Sequence, residues 1–268
     1  MIFLSDHFYR EYLKEIFMNQ CALVINSHSS NSDCLAIFFT QLEKHVDVGF
    51  FSNIYLLVDS CENIPSYVTC IKYDPEACFT DQMISCLSSI EEEIILYANE
   101  DYILYDRPDL GFLSELTSSL RDCDYLSYLR FVYADIEKLA TFTEMEDKKL
   151  LYIPPSSQLC FSQTLSLWKT KDYLNIHIEG PKSSIGVKGE SQGHFEVLVK
   201  PTCRDLKIQG AVVFDSTNKK IGLFHYESKC FPHVASALVK GRWNISEYPE
   251  LEKILAENHI DTTIRGVV

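Results

Sequence analysis

The chain has 268 residues, with 24 lysines and arginines against 38 aspartates and glutamates, for a formal net charge of −14. This length is enough for one large domain with an ample apolar core. The acidic balance, and a sequence without a basic cluster, argue against a nucleic-acid partner.

The ten cysteines are scattered singly, without the Cys-x-x-Cys spacing of zinc or redox sites. They indicate reduced, mostly buried thiols in a cytoplasmic protein. Charged residues from Asp6 onward interrupt the opening MIFL run, and no stretch reaches the roughly 20 apolar residues of a transmembrane helix. We therefore expect no signal peptide and no membrane span, while a local apolar or basic patch would still allow peripheral membrane contact.

The first half of the chain alternates between helical and strand-like patterns. Apolar residues at helical spacing predict a helix over 5–19. The run CALVIN (21–26) predicts a strand, followed by the polar loop SHSSNSD and a helix that Asp33 caps and that ends near residue 46. The further elements are strands at 53–60, 68–73 and 93–98 and a helix at 79–90.

This alternation predicts an α/β fold with a mainly parallel sheet flanked by helices. The short strands are apolar on both faces, as expected for a sheet that helices cover on both sides.

The second half predicts a smaller mixed portion. Its pattern indicates a helix from Asp109 to about Cys123 and another over 163–174. The segment 211–226 is typical of a hairpin that turns around Thr217 and Asn218. Two closing helices are predicted at about 231–240 and 247–258.

Glu100 and Asp101 directly follow the apolar run 93–98. The polar loop from Ser27 to Asp33 and the residue Asp59 follow two other strands. Ligands bind at the carboxyl ends of strands in such sheets, so these side chains are candidate ligand-binding groups.

Three uses of the acidic pair remain open: a divalent-metal site, acid and base catalysis, or a solvated turn. Metal binding is favoured over proton transfer because neighbouring side chains on an extended backbone point to opposite faces.

Four segments carry a resemblance to a known family. NEDYIL (99–104), SQTLSLWKTKDYL (162–174), GESQGHFE (189–196) and ALVKGRWN (237–244) are similar, in order and spacing, to motifs of a bacterial group of glycosyltransferases with the nucleotide-diphosphosugar transferase (GT-A) fold. The first is an acidic variant of the Asp-x-Asp motif in which Tyr102 takes the third position. In the third, Gln192 and Gly193 stand where the family has proline and tryptophan.

The resemblance implies a single GT-A-like domain over 1–268, with a nucleotide-sugar-binding half (1–110) and an acceptor-binding half with the closing helices (111–268). It implies sugar transfer from a nucleotide-diphosphate donor to a hydroxyl of a glycan or glycolipid, in surface polysaccharide biosynthesis. An Mn²⁺ or Mg²⁺ ion would neutralise the leaving diphosphate.

The resemblance also assigns roles to residues, each of which has a plainer structural interpretation. Trp168 suits a core position, His225 a structural histidine, Lys240 a charged helix end and Glu196 a surface acid. The implied catalytic residues are Glu196 and Asp101, and the implied metal ligands are Asp101, Glu100 and His225. The implied donor-binding residues are Ser27, Asp33, Asp59, Glu100 and Lys240, and the implied acceptor-binding residues are Gln163, Trp168 and Glu190.

Two other functions remain open. A nucleotidyltransferase would share the layout, but it usually has a glycine-rich basic loop after its first strand, and SHSSNSD has neither glycine nor lysine. The second alternative is a non-catalytic nucleotide-sugar-binding or glycan-binding protein, which the changes at Gln192 and Gly193 favour.

Overall fold

A computed structural model describes residues 21–133, 143–144, 150–181, 192–214, 219–221 and 225–268. These residues form the following secondary structure. The strands are β1 (Ala22–Asn26), β2 (Ile54–Val58), β3 (Val68–Lys72), β4 (Ile94–Asn99), β5 (Tyr128–Arg130), β6 (Thr143–Glu144), β7 (Leu150–Ile153), β8 (Ser166–Lys169), β9 (Gly210–Val213), β10 (Lys220–Ile221), β11 (His225–Tyr226), β12 (Leu238–Val239) and β13 (Arg242–Trp243). The helices are α1 (Ser32–His45), α2 (Phe79–Leu87), α3 (Leu110–Asp122), α4 (Thr170–Glu179), α5 (Gln192–Leu198), α6 (Lys200–Asp205), α7 (Pro249–Glu257) and α8 (Thr262–Arg265).

One sheet of nine strands organises the fold, in the order β3-β2-β1-β4-β8-β5-β9-β7-β6. The strands β3, β2, β1 and β4 are mutually parallel. Beyond them β8 runs antiparallel between β4 and β5, β9 is parallel to β5, and β7 is antiparallel to β9. The predicted α/β class is confirmed: the sheet is parallel in the first half of the chain and mixed in the second.

The burial of each strand follows from its place in the sheet. Every residue of the central strands β1 and β4 is buried, and their sequences are apolar except for the final asparagines. The edge strand β3 has only Val68 buried, and it carries polar residues between apolar ones. A strand needs apolar residues on both faces only where helices cover both faces.

Within the described residues, two helices cover each face of the parallel half. On one face, α1 and α3 contribute Phe38, Leu42 and Leu116 to the larger core cluster. On the other face, α2 and α4 contribute Met83 and Ile176 to the second cluster. The apolar residues recur every three or four positions, which places them on the side of each helix that faces the sheet.

A third apolar cluster joins the C-terminal segment to α1 and to the segment that follows β4. Trp243, Tyr248 and Leu251, from β13 and α7, pack with Ile37 of α1 and with Ile103, which follows β4. The C-terminal residues therefore lie against the segment that carries Glu100 and Asp101.

The helix predicted over 163–174 is only partly correct. Residues Ser166–Lys169 form strand β8, and the helix α4 begins at Thr170. The spacing of Leu165 and Trp168 suits a helix, but it equally suits a strand buried on both faces, and β8 lies between β4 and β5.

The predicted hairpin over 211–226 is wrong. The strand β9 pairs with β5 and β7 in the main sheet, and β10 pairs instead with β11, opposing Lys220 to Tyr226. Thr217 and Asn218 lie outside the described residues. The run Gly210–Val213 is apolar throughout, which suits the interior of a sheet better than an exposed hairpin.

The helix predicted at 231–240 is also wrong, because the short hairpin β12–β13 ends this segment. Lys240 and Gly241 form its turn with φ of +51° and +76°, a left-handed conformation that ends regular structure. The helix predicted at 247–258 is confirmed as α7, and the one from Asp109 is confirmed as α3, with the Asp109 carboxylate accepting from the Phe112 amide.

The prediction that all cysteines are reduced is wrong for one pair. Cys61, in the loop after β2, and Cys70, in β3, form a disulfide with their Cα atoms 6.3 Å apart. The other eight cysteines are free, and six of them are buried.

The opening helix predicted over 5–19 lies outside the described residues. Among the helices that are described, none combines the length and the apolar character needed to cross a bilayer.

The buried His177 of α4 makes the fold sensitive to acid. Its ring stacks on Phe195 with centroids 4.8 Å apart, and burial lowers its pKa to about 3. The folded protein thus keeps this imidazole neutral while the unfolded chain takes up a proton below about pH 6.5. Stability from this group is complete above pH 6.5 and is lost as the pH falls toward 3.

We expect the substitution His177→Phe to reduce this acid sensitivity. Between pH 7 and 4.5 the free energy of unfolding should fall by about 2 kcal/mol less in the variant than in the wild type, measured by urea titration. Phe195→Leu, which disturbs the same packing without a titrating group, should lower stability equally at both pH values. An unchanged pH slope in His177→Phe would contradict this account.

Candidate functional site

The carboxyl ends of the parallel strands bring the predicted polar residues to one edge of the sheet. Asn26, the last residue of β1, lies opposite Leu57 of β2 and Asn99 of β4. Ser27 and Glu100 therefore continue from adjacent strand ends, and the amide of Glu100 donates to the Asn26 carbonyl over 3.3 Å. The expectation that these strand ends share one edge is confirmed.

Asp59, at the end of β2, fixes the loop that follows β1. One of its carboxylate oxygens accepts from the Ser29 amide at 2.7 Å and the other from the Ser29 hydroxyl at 2.6 Å. Burial alone would raise the pKa of Asp59, but these hydrogen bonds outweigh burial and hold the pKa below its ordinary value. Asp59 is thus an ionised acid whose two oxygens both bind the loop.

Ser27 is buried at the start of the same loop, and its carbonyl accepts from the Tyr73 hydroxyl at 2.7 Å. The side-chain hydroxyl of Ser27 makes a long contact, 3.5 Å, with the His28 carbonyl. Its backbone thus helps to fix the loop next to the sheet edge.

Glu100 is only 8% exposed, although it is an acid directly after a strand. Its Oε1 accepts from the Asn31 side-chain amide at 2.6 Å. Burial raises the pKa of Glu100 to about 6, against the lowering effect of hydrogen bonds from its own backbone and from Asn31.

Asp101 is half-buried beside Glu100. Its carboxylate accepts from the Ser236 hydroxyl at 3.4 Å and from the Leu238 amide. Burial and the neighbouring charge of Glu100 raise the pKa of Asp101 to about 8. The two adjacent acids therefore disfavour each other's ionised state.

Asp33 lies in the first turn of α1, but it does not cap the helix as predicted: the N-cap residue is Asn31, which makes no side-chain capping bond. Both carboxylate oxygens of Asp33 bind the guanidinium of Arg265, the Nε bond being 2.6 Å. Burial alone would raise the pKa of Asp33, and hydrogen bonds from Arg265 and from the Cys34 amide reverse that effect and lower it.

A second group of polar residues lies across the edge, beside β8. The Tyr102 hydroxyl donates to the Gln163 carbonyl and accepts from the Asn99 amide at 3.1 Å. The Glu196 carboxylate accepts from the Gln163 backbone amide and, at 3.2 Å, from the Ser162 hydroxyl. The structure thus brings Glu196 and Gln163 together. Tyr102, which directly follows Asp101 in the chain, connects them to the acidic pair through its hydrogen bond to the Gln163 carbonyl.

The side-chain amide of Gln163 is buried without a hydrogen-bond partner in the described part of the chain. The residue is 5% exposed, and neither Oε1 nor Nε2 has a partner there; the hydroxyl of its neighbour Thr164 is in the same state. Buried polar atoms of native proteins are normally hydrogen-bonded, so a side-chain amide without a partner among the described residues indicates a place for a polar ligand or water.

His225 does not join the acidic pair in a ready metal site. Its Nδ1 lies 2.8 Å from the Tyr248 hydroxyl and 3.9 Å from the Glu247 carboxylate. Burial lowers the pKa of His225, and the negative charge of Glu247 opposes that change. Across the described residues, no three His, Cys, Asp or Glu side chains gather closely enough to hold a metal ion.

Three other predicted residues lie elsewhere. Trp168 is 1% exposed and stacks on Tyr128 at 4.4 Å, so it is a core residue and the acceptor-binding role is wrong. Lys240 is exposed in the turn of β12–β13 and is not at a helix end. Glu190 lies outside the described residues.

A cavity of about 560 Å³ lies between α1 and the loop that follows β2. Its apolar wall is formed by side chains of α1 and the end of β2, and its rim is polar. The lining residues are Leu35, Ala36, Phe39, Val58, Ser29, Ser32, Asp33, Ser60, Glu62 and Asn63. This volume is in the range of small-molecule sites.

Sequence reasoning included Asn31 only as one residue of the polar loop 27–33, and it missed Ser236 and Arg265. Asn31 belongs to the polar loop SHSSNSD, and its place after a strand was a usable signal. Ser236 and Arg265 carry no local signal, because they reach the edge only through the packing of the C-terminal segment.

The comparisons with known proteins give structural likeness without sequence relationship. No protein-family model and no curated protein sequence matches the chain. The structure is similar to that of CMP:2-keto-3-deoxy-manno-octonic acid synthetase complexed with CTP, at 12% identity over 88% of this chain and 98% of that one, with a TM-score of 0.48. It is also similar to S. aureus TarS 1–349 in complex with UDP, at 10% identity over 91% of this chain and 68% of that one, with a TM-score of 0.48. These values assign no activity to the chain.

The raised pKa values make the acidic edge a destabilising feature of the protein without ligand. The folded state keeps protons on Glu100 and Asp101 at pH values where the unfolded chain has lost them, so stability falls as the pH rises from about 4 to about 8.

We therefore expect Asp101→Asn to have a higher free energy of unfolding than the wild type in EDTA. The difference should be larger at pH 8 than at pH 5, as measured by urea titration at both values, because asparagine still accepts hydrogen bonds but carries no charge. A variant that is less stable by the same amount at both pH values would show that the carboxylate is stabilising in place.

Proposed function

We propose that this protein is a glycosyltransferase that moves a sugar from a nucleotide-diphosphate donor to a hydroxyl of a glycan or glycolipid acceptor. The observation that supports this most directly is the burial of Glu100 beside Asp101 at the carboxyl edge of the parallel strands. An edge of this kind is where α/β proteins bind nucleotides. The resemblance of NEDYIL and three later segments to glycosyltransferase motifs is consistent with the same role.

The acidic pair fits a divalent cation such as Mn²⁺ or Mg²⁺. These ions prefer oxygen ligands, and protein sites for them commonly supply one or two carboxylates while substrate phosphates and water complete the shell. Glu100 and Asp101 are two such carboxylates, and their mutual repulsion would be relieved by a cation. When bound, the ion would neutralise charge on the departing diphosphate.

We propose that the cavity beside α1 takes the nucleoside of the donor. Its apolar wall of Leu35 and Phe39 suits a base, and its polar rim suits ribose hydroxyls. The cavity and the acidic pair share the loop after β1: Ser29 lines the cavity, and Asn31 binds Glu100. A donor extending along this loop would bring its diphosphate toward Glu100.

We propose that Gln163 and Glu196 act on the acceptor side. The Gln163 side-chain amide, which has no partner among the described residues, would bind a sugar hydroxyl, and the Glu196 carboxylate binds the backbone amide of the same residue. In this proposal Glu196 accepts the proton of the attacking hydroxyl, while Gln163 orients it.

A non-catalytic nucleotide-sugar-binding protein is the second candidate. It is favoured by the Ser162 and Gln163 hydrogen bonds that already occupy one oxygen of Glu196. It would bind the donor at the same edge but would not transfer the sugar.

A thermal-shift screen of nucleoside diphosphates and their sugars, with and without Mn²⁺, tests the proposal. We expect one base to be preferred and Mn²⁺ to add to the stabilisation, because a ligand that binds only the folded state raises the melting temperature. Asp101→Asn should lose the Mn²⁺-dependent part. The control is Glu91→Gln, which changes an exposed acid before the opposite, amino end of β4.

Product analysis then separates the two candidates. Slow hydrolysis of the preferred nucleotide sugar by the wild type, but not by Asp101→Asn, supports a transferase. Binding with no turnover on any acceptor supports the binding protein, and no stabilisation by any nucleotide removes both.

The substitution Ala36→Trp tests the nucleoside cavity. Ala36 is exposed on α1 and lines the cavity, so an indole there should fill the cavity without disturbing the core. We expect nucleoside diphosphate affinity to fall at least about tenfold, measured by calorimetry, with an unchanged melting temperature. Thr40→Trp, one turn further along α1 and outside the cavity lining, is the matched control. Equal affinities in both variants would place the nucleoside elsewhere.

A further inference from the structure

Arg265, near the end of the chain, binds the loop that follows β1. Its Nη2 donates to the Ser30 carbonyl at 3.0 Å and to the Asn31 side-chain oxygen at 3.3 Å. Its Nε and Nη2 also form a two-pronged ion pair with Asp33, across 232 residues of sequence. One guanidinium thus contacts two residues of the loop, Ser30 and Asn31, and Asp33 in the first turn of α1.

Asn31 connects Arg265 to the acidic pair. Its amide oxygen accepts from Arg265, and its amide nitrogen donates to Glu100 at 2.6 Å. An asparagine side chain can rotate to exchange its oxygen and nitrogen, but the arginine has only donors and can therefore bind only the oxygen. Arg265 therefore turns the Asn31 amide so that its N–H group faces Glu100.

The segment that carries Arg265 is itself held firmly. The Trp243 amide donates to the Gly266 carbonyl at 3.0 Å, and the Val268 amide donates to the Trp243 carbonyl at 2.9 Å. The guanidinium carbon lies 5.7 Å from the centroid of the buried Trp243 ring. The Arg265 side chain is only 16% exposed. Its position is set by packing, so it can act as a fixed template for the loop.

We propose that Arg265 is a positioning residue for Glu100, acting through Asn31, so that the C-terminal residues form part of the donor and metal edge. This inference deepens the proposed function and rests on it for its effect on ligand binding. Its structural part, the orientation of Asn31 by Arg265, stands without that function.

The alternative is that Arg265 forms an ordinary ion pair between the C-terminal segment and α1. The chain offers a natural comparison: Lys44 of α1 pairs with Glu257 of α7 at 2.8 Å and also joins α1 to the C-terminal part. That pair has side chains 48% and 40% exposed and lies away from the loop after β1. Exposed pairs of this kind contribute little to stability.

The experiment compares Arg265→Gln, Arg265→Lys and Lys44→Gln in the full chain. The probe is Mn²⁺ alone, titrated by calorimetry and by electron paramagnetic resonance. We expect Arg265→Gln to weaken Mn²⁺ binding about tenfold, as is usual when the partner of a metal ligand is removed. Lys44→Gln removes the same charge and should stay within about twofold of the wild type.

The variant Arg265→Lys distinguishes a positioning role of the guanidinium from an effect of its charge alone. Lysine keeps the positive charge but lacks the planar fork that contacts Asp33, Ser30 and Asn31 together. Mn²⁺ affinity that stays low in Arg265→Lys supports positioning, and affinity that returns to the wild-type value would show that only the charge matters.

A second readout does not depend on any ligand. The Asn31 side-chain N–H signals, assigned by comparison with Asn31→Asp, should be protected from exchange in the wild type and in Lys44→Gln and lose protection in Arg265→Gln. Unchanged protection in Arg265→Gln would overturn the proposal. If the wild type binds no Mn²⁺ and no nucleotide, the proposed function fails, while this signal still decides whether Arg265 orients Asn31.

Discussion

The candidate site depends on two neighbouring carboxylates, Glu100 and Asp101, held side by side where β4 leaves the sheet. Burial raises the pKa of Glu100 to about 6, and burial together with the charge of Glu100 raises the pKa of Asp101 to about 8. Hydrogen-bond donors around the two acids offset part of this unfavourable interaction. The Asn31 amide binds Glu100, and the Ser236 hydroxyl and the Leu238 amide bind Asp101. In the proposed function, a bound cation would favour the ionised state of both acids.

The parallel half of the sheet could be predicted because its signals are local. The run CALVIN is apolar throughout and is followed at once by turn-forming residues, which leaves a buried strand as the simplest interpretation. The same rule failed at 163–174, where the spacing of Leu165 and Trp168 fits a helix as well as a strand buried on both faces. Only the pairing of β8 with β4 and β5 decides between them, and pairing is not a local property.

The residues of the candidate site also divide into those that could be located from sequence and those that could not. Glu100, Asp59 and the loop at 27–33 could be located from sequence, because the ends of parallel strands necessarily meet at one edge. Arg265 could not, since it reaches Asp33 across 232 residues through the apolar cluster around Trp243. The helix predicted at 231–240 was wrong for the same reason, because the turn at Lys240 and Gly241 contacts a residue that is distant in the local pattern. The Gly241 carbonyl lies 3.5 Å from the guanidinium of Arg265.

The loop after β1 is fixed from three sides before any ligand arrives. Asp59 binds Ser29, Glu100 binds Asn31, and Arg265 binds the Ser30 carbonyl. A flexible loop would have to be ordered on binding, and that conformational cost would reduce affinity. Here the loop is already ordered in the folded protein, in part by Asp59 and Glu100, which belong to the candidate site. The residues that fix the loop therefore also shape the surface that a ligand would meet.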